Sequence, residues 1–359
     1  MASASPVMAQ TRTHVVQTKG AEASASPFLV IAHRGASGER PEHTESAYLR
    51  AIAQGAAFIE PDLVATKDGH LVARHENLIN DTTDVAGRPE FASRKTTKVI
   101  DGERYAGWFT EDFTLAELKT LRTRERMPQL RPANTAFDGQ DVILTLEEVI
   151  ALAKRESART GRVIGIYPEL KHPSYFNGLG LKVEDALVSA LEKAGWTGAD
   201  APVFVQCFEV TPLQRLSRRI RTPLVQLVAA EAGPADLPGT TYAQMLTPDG
   251  LKAIATYAQG LGPDKTLILP RDVTGKATGA VTDLVARAHA LGLKVHPWTL
   301  RLENAALSTD LRRGDPKAAD YLRQHGDWQA ELSALRAAKI DGIFTDFPAQ
   351  TVEAVKARP

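Results

Sequence analysis

Between Phe28 and Glu76 the chain reads FLVIAHRGASGERPEHTESAYLRAIAQGAAFIEPDLVATKDGHLVARHE, and most residue types that phosphoester chemistry needs occur there in short order. One apolar run ends in His33, Arg34 and Gly35, a second carries Glu60 and Asp62, and a third ends just before His75. Two carboxylates separated by one residue share a strand face, because strand side chains alternate. On one face they repel each other unless a proton or a cation lies between them. Hard oxygen donors of this kind suit calcium, magnesium or manganese better than zinc. Spacing alone fits a solvated strand face equally well. The apolar neighbours Phe58, Ile59, Leu63 and Val64 point instead to a buried strand, where unpaired charge is costly.

A third carboxylate is expected from another strand end, and Tyr167-Pro168-Glu169-Leu170-Lys171 supplies Glu169 with Lys171 on the same face. A plain ion pair is the alternative there. Histidine exchanges a proton near neutral pH, so His33 and His75 together can serve an attacking and a leaving oxygen. Either one by itself would more often be structural. Arg34 presents a planar fork matched to two phosphate oxygens, and Gly35 lets the backbone pass close to a ligand.

These residues need strands to carry them. Phe28–Ala32, Phe58–Val64, Leu71–Ala73, Val163–Leu170, Val203–Phe208, Leu224–Val228, Thr266–Leu269, Leu293–Trp298 and Gly342–Thr345 all read as strands. Helical spacing alternates with them over Thr44–Gln54, Leu146–Arg155, Val183–Lys193, Pro212–Arg219, Pro248–Gln259, Ala280–Ala290, Asp327–Lys339 and Ala349–Lys356. Thr145 and Glu148 form a capping box, and Gly292 closes a helix. About eight of these strands, separated by helices, predict a parallel sheet closed into a barrel, with chemistry at the strands' carboxyl ends. An open doubly wound sheet is the alternative. Residues 77–140 break the rhythm, with one helix at Leu115–Leu121, and read as an insertion over the mouth of the site.

Composition narrows the class. The 43 basic and 43 acidic residues balance, which argues against a nucleic-acid partner or a polybasic membrane surface. The single cysteine, Cys207, excludes an intrachain disulfide framework and a cysteine-built zinc site, and its apolar flanks predict a buried thiol. No apolar run approaches the ~18 residues of a membrane span. Residues 1–26, rich in Ala, Ser and Thr, read as a disordered lead-in before a single barrel domain over 27–359. They lack the basic start and continuous apolar centre of a signal peptide. The chain is then either the mature form of an exported protein or cytoplasmic.

The combination resembles the glycerophosphodiester phosphodiesterase family, and within it the exported, periplasmic bacterial type. The matching pieces run in order along the chain: HRGASGERPEHT at 33–44, EPDLVATKDGHLVARHE at 60–76, IGIYPELK at 164–171, VHPWTLR at 295–301 and GIFTDFP at 342–348. The resemblance implies a (β/α)8 TIM barrel with a small inserted subdomain. It implies His33 and His75 as the acid/base pair and Glu60, Asp62 and Glu169 as ligands of a divalent metal, calcium first and magnesium second. Arg34 and Lys171 would bind phosphate, and Trp298 or Phe347 would pack against the substrate. The expected partners are small glycerophosphodiesters, such as glycerophosphocholine or glycerophosphoethanolamine, hydrolysed to glycerol 3-phosphate and an alcohol in the periplasm or outside the cell. A lipid-directed phospholipase D-like enzyme and a non-catalytic binding protein are the competing readings. His43 is expected to be structural or to support the site, and the role of Glu76 is left open.

Overall fold

The computed structural model describes Met1 and residues 28–357, so the expected lead-in lies, apart from Met1, outside the described residues. The strands are β1 (Leu29–His33), β2 (Phe58–Glu60), β3 (Asp62–Ala65), β4 (Leu71–Ala73), β5 (Thr96–Ile100), β6 (Glu103–Gly107), β7 (Gly165–Ile166), β8 (Glu169–Leu170), β9 (Val205–Cys207), β10 (Leu224–Val228), β11 (Gly260–Pro263), β12 (Lys294–Val295) and β13 (Gly342–Thr345). Parallel pairing runs from β1 to β2, from β2 and its continuation β3 to β7 and β8, and on through β9, β10, β11 and β12. The circuit closes because β13 pairs with β1, while across the β12–β13 seam Leu300 N–H donates to the Phe344 carbonyl and Phe344 N–H to the Pro297 carbonyl. This is a (β/α)8 barrel, with the expected alternation of strand and helix.

Two strand assignments differ from expectation. Leu71–Ala73 is not a barrel stave; it returns antiparallel to β3, with Leu63 opposite Ala73. The turn through Asp68-Gly69 makes this hairpin, with Thr66 N–H given to the His70 carbonyl, and so short a return cannot produce a parallel neighbour. The missing stave is Gly260–Pro263, whose GLGP sequence carries none of the β-branched residues that mark strands. Thr266–Leu269, expected as that stave, instead begins in a short 3-10 turn over Lys265–Leu267. The expected capping box at Thr145 and Glu148 is present, and its helix runs on from Leu146 to Thr160 before Gly161.

The apolar residues fall into two bodies. The larger lies between the strands and the surrounding helices. The smaller fills the barrel interior with Ile31, Tyr167, Val225 and Phe344, joined by Phe58, Phe204 and Trp298. Tyr167 stacks on Phe204 with ring centroids 4.9 Å apart and meets Phe344 edge-on at the same distance. Its hydroxyl bonds to Nδ1 of buried His296 at 2.9 Å. The interior is a packed plug, and the polar site sits above it. Among the described residues no helix is long and apolar enough to cross a membrane. Replacing Tyr167 by Phe should cost about 1–3 kcal/mol, because it leaves a buried imidazole nitrogen unpaired; the urea unfolding midpoint measures this.

Candidate active site

Strand register sets the site. In β1 and β2, His33 lies beside Glu60; in β3 and β8, Asp62 lies beside Glu169; and Glu169 in turn lies beside Gln206 in β9. Four neighbouring staves therefore present their polar residues at one level, at the carboxyl ends. After His33 the chain turns sharply, with Arg34 and Gly35 both at positive φ (62° and 87°). A Cβ at Gly35 would stand 2.7 Å from the carbonyl carbon of Ala47, so only glycine passes there. The turn aims the Arg34 backbone N–H at Glu60 Oε2, 2.8 Å away.

One carboxylate oxygen from each of Glu60, Asp62 and Glu169 lies within 4.8 Å of the others, and all three residues are buried. Burial, together with the Asp62 charge, pushes Glu60 well above the usual carboxylate range. Burial likewise raises Glu169 to about 8, against the pull of Lys171. Asp62 goes the other way: burial opposes its ionisation, but Arg34 and a hydrogen bond from His43 outweigh it. Arg34 Nε stands 3.2 Å from Asp62 Oδ2, and His43 Nε2 donates to the same oxygen at 2.9 Å while its Nδ1 pairs with the Tyr48 hydroxyl. Lys171 Nζ is 3.1 Å from Glu169 Oε1, yet off hydrogen-bonding angles, so that buried oxygen has no bonded partner. A crowded set of hard oxygens with one left unsatisfied fits a divalent cation. Charge agrees: ionised together, as a bound cation would hold them, three carboxylates against Arg34 and Lys171 leave one negative charge in excess. A divalent ion would reverse that to one positive, the complement of a phosphodiester anion.

The histidines are built alike. His33 Nδ1 lies 2.6 Å from Asp346 Oδ1. Asp346 also accepts from Arg131 at 2.6 Å and Arg301 at 2.7 Å, and these cations keep it ionised despite its burial. A carboxylate only accepts, so the His33 proton sits on Nδ1 and Nε2 is left as the free base. Burial, then the neighbouring Arg34, lowers His33 to about 4. His75 follows β4, arriving by the antiparallel return, and its Nδ1 lies 3.0 Å from Glu76 Oε1. Its Nε2 faces Lys171 Nζ at 3.5 Å. Burial, Arg34 and Lys171 together depress its pKa.

His33, Arg34, Glu60, His75, Glu169, Lys171 and Trp298 line one cavity of about 390 Å³; Asp62 is outside the lining, beside Glu169 in the strand register. Trp298 is half-buried, its indole N–H given to the Gly262 carbonyl at 2.9 Å, which leaves a ring to offer the cavity. Phe347 is buried against His325 and Gly38, outside the cavity lining. Sequence reading missed Arg131 and Arg301, which hold Asp346, and Glu42, which accepts from Arg34 at 3.0 Å and Arg126 at 3.0 Å. Arg131 and Arg126 come from the 77–140 insertion, and no local pattern marks a side chain that acts across so long a separation.

A barrel that gathers hard oxygen ligands, phosphate-sized cations and paired imidazole bases at its carboxyl-terminal rim defines a hydrolase of phosphoric esters. The chain belongs to the glycerophosphoryl diester phosphodiesterase family, whose description matches residues 33–350. It is 38% identical to a glycerophosphodiester phosphodiesterase of Arabidopsis thaliana, over 88% of this chain and 83% of that one. It is 30% identical to a glycerophosphodiester phosphodiesterase of Haemophilus influenzae, over 92% and 90%. In fold it is similar to a putative glycerophosphoryl diester phosphodiesterase of Silicibacter pomeroyi, with a TM-score of 0.65 at 22% identity over 92% and 93% of the two chains. It is also similar to an Oleispira antarctica phosphodiesterase in complex with its product sn-glycerol-3-phosphate, with a TM-score of 0.57 at 20% identity over 92% and 97%.

Asp346→Asn should lower kcat by roughly 10²- to 10⁴-fold, since the amide no longer enforces the Nδ1–H tautomer of His33; steady-state kinetics decide. A depressed imidazole takes its proton only on unfolding between its folded and unfolded pKa values. Stability from His33 is therefore complete above about pH 6.5 and is lost as pH falls towards about 4. Urea midpoints of metal-free protein from about pH 7 to about pH 4.5 should fall more steeply than those of His33→Gln.

Proposed function

We propose that the protein hydrolyses water-soluble glycerophosphodiesters, glycerophosphocholine and glycerophosphoethanolamine among them, to glycerol 3-phosphate and the free alcohol. One observation carries the reading: two imidazoles, each with a carboxylate beside Nδ1, line a single cavity together with Glu60 and Glu169 of the three-carboxylate cluster. Binding alone requires no such bases.

Arg34 and Lys171 would hold the phosphodiester's non-bridging oxygens. A divalent cation on Glu60, Asp62 and Glu169, calcium in our reading, supplies further neutralisation of charge that grows on those oxygens. One imidazole Nε2 takes the proton of the neighbouring glycerol hydroxyl as its oxygen attacks phosphorus. The bond from phosphorus to the alcohol breaks, and the other imidazole, protonated, delivers its proton to the leaving oxygen. Water then opens the cyclic phosphate with the proton roles reversed. Without substrate both imidazoles are neutral, because burial, Arg34 and Lys171 disfavour their charge. A phosphodiester anion opposes those cations, so the proton needed for leaving-group departure arrives with the substrate.

The test is release of glycerol 3-phosphate from glycerophosphocholine with calcium, with magnesium, and with chelator. Release with added metal that chelator abolishes supports the proposal, and no release in any condition sinks it. Calcium should also raise the thermal midpoint of the wild type but not of Glu169→Gln, a readout independent of turnover. His33→Ala and His75→Ala should each lower kcat by at least about 10²-fold.

A further inference from the structure

Glu76 is held from behind. Its Oε1 lies 3.0 Å from Nδ1 of His75, and its Oε2 lies 2.8 Å from Nε2 of His172. The other nitrogen of His172, Nδ1, lies 2.6 Å from Asp101 Oδ2. A neutral imidazole has one N–H, and here both ring nitrogens face carboxylate oxygens that can only accept. His172 must carry both protons. Burial opposes that charge, but the hydrogen bonds to Asp101 and Glu76 outweigh it and hold the His172 pKa up at about 9. The backbone is committed to this geometry as well, with φ of 47° at His172 and 50° at Asp101.

Asp101 occupies the tip of the β5–β6 hairpin, a ribbon within the insertion that is otherwise mostly exposed. Its stem is tied down by Lys98, which reaches Glu111 at 2.9 Å and Asp112 at 2.7 Å. A ribbon with so little apolar burial gains little from hydrophobic packing. What its tip does contribute is the last carboxylate in a line running Asp101, His172, Glu76, His75.

We propose that His172 is a positioning residue for the reaction proposed above: with Asp101 it clamps Glu76 so that His75 keeps its proton on Nδ1 and its Nε2 towards the cavity. The β5–β6 hairpin thereby completes one of the two imidazole bases, as Arg131, also from the insertion, completes the other through Asp346. Neither His172 nor Asp101 touches substrate. Both act through Glu76.

Asparagine accepts positive φ, so His172→Asn and Asp101→Asn change the clamp while sparing the backbone. With glycerophosphocholine and calcium, His172→Asn should lower kcat roughly 10- to 100-fold, leave KM within about twofold, and Asp101→Asn should do the same more weakly. In a His75→Ala background, His172→Asn should change the remaining rate less than about twofold, because its route is already cut. Imidazole ¹⁵N spectra at about pH 7 should show His172 protonated on both nitrogens and His75 protonated on Nδ1, with the His75 signals moving towards a tautomer mixture in His172→Asn. Unchanged His75 signals, or an unchanged kcat in an active protein, overturn the inference. A wild type that releases no product instead sinks the phosphodiesterase reading, and the spectra still decide the clamp.

Discussion

Mutual repulsion among Glu60, Asp62 and Glu169 is the constraint around which the rest of the structure is arranged. Three buried carboxylates within 4.8 Å of one another are unfavourable unless cations are brought to them. Arg34 and Lys171 are those cations within the chain, each from a residue adjoining the same strand ends. The positive φ at Arg34, the glycine after it and the buried His43 behind Asp62 all follow from the need to aim donors at these oxygens. The aromatic plug beneath, built on Tyr167, keeps water from reaching the carboxylates from below. The incomplete charge compensation bears on the function proposed. It leaves room for a metal, and with the metal the site acquires the sign of charge a phosphodiester seeks.

Around this centre the protein builds two imidazole–carboxylate pairs from unrelated parts of the chain. One spans the barrel seam and the other lies within a hairpin return. Each carboxylate is fixed by a cation on its far side, Arg131 and Arg301 for Asp346 and His172 for Glu76. Fixing the carboxylate fixes the tautomer, and the tautomer decides which nitrogen reaches the substrate. The insertion supplies a partner to both pairs, so the segment that departs most from barrel regularity is tied to both bases.

The barrel and the centre of the site were largely legible in the sequence because their signals are local. Strand alternation put Glu60 and Asp62 on one face, and apolar flanks showed that face to be buried. Capping chemistry marked the helix at Leu146. What escaped notice depended on distance or on weak strand character. Gly260–Pro263 forms a barrel stave because its neighbours pair with it, with no help from its own propensity. Leu71–Ala73 has the composition of a stave, and only the short Asp68-Gly69 turn before it reveals that it runs backwards. Asp346 follows the last stave, and nothing local shows that its oxygens are occupied by His33, Arg131 and Arg301. Arg131 and His172 lie in loops with no periodicity, and their roles exist only once the barrel has brought remote residues together.

The pairing of His33 with Asp346 also sets a schedule. His33 ends the first stave and Asp346 follows the last, and these two staves are hydrogen-bonded neighbours along their length. During synthesis, with domains emerging at about 5–20 residues per second, the first histidine exists long before its carboxylate does. Until the final stave docks, His33 lacks the carboxylate that fixes its tautomer. On the function proposed, catalytic competence is therefore the last property the nascent chain acquires.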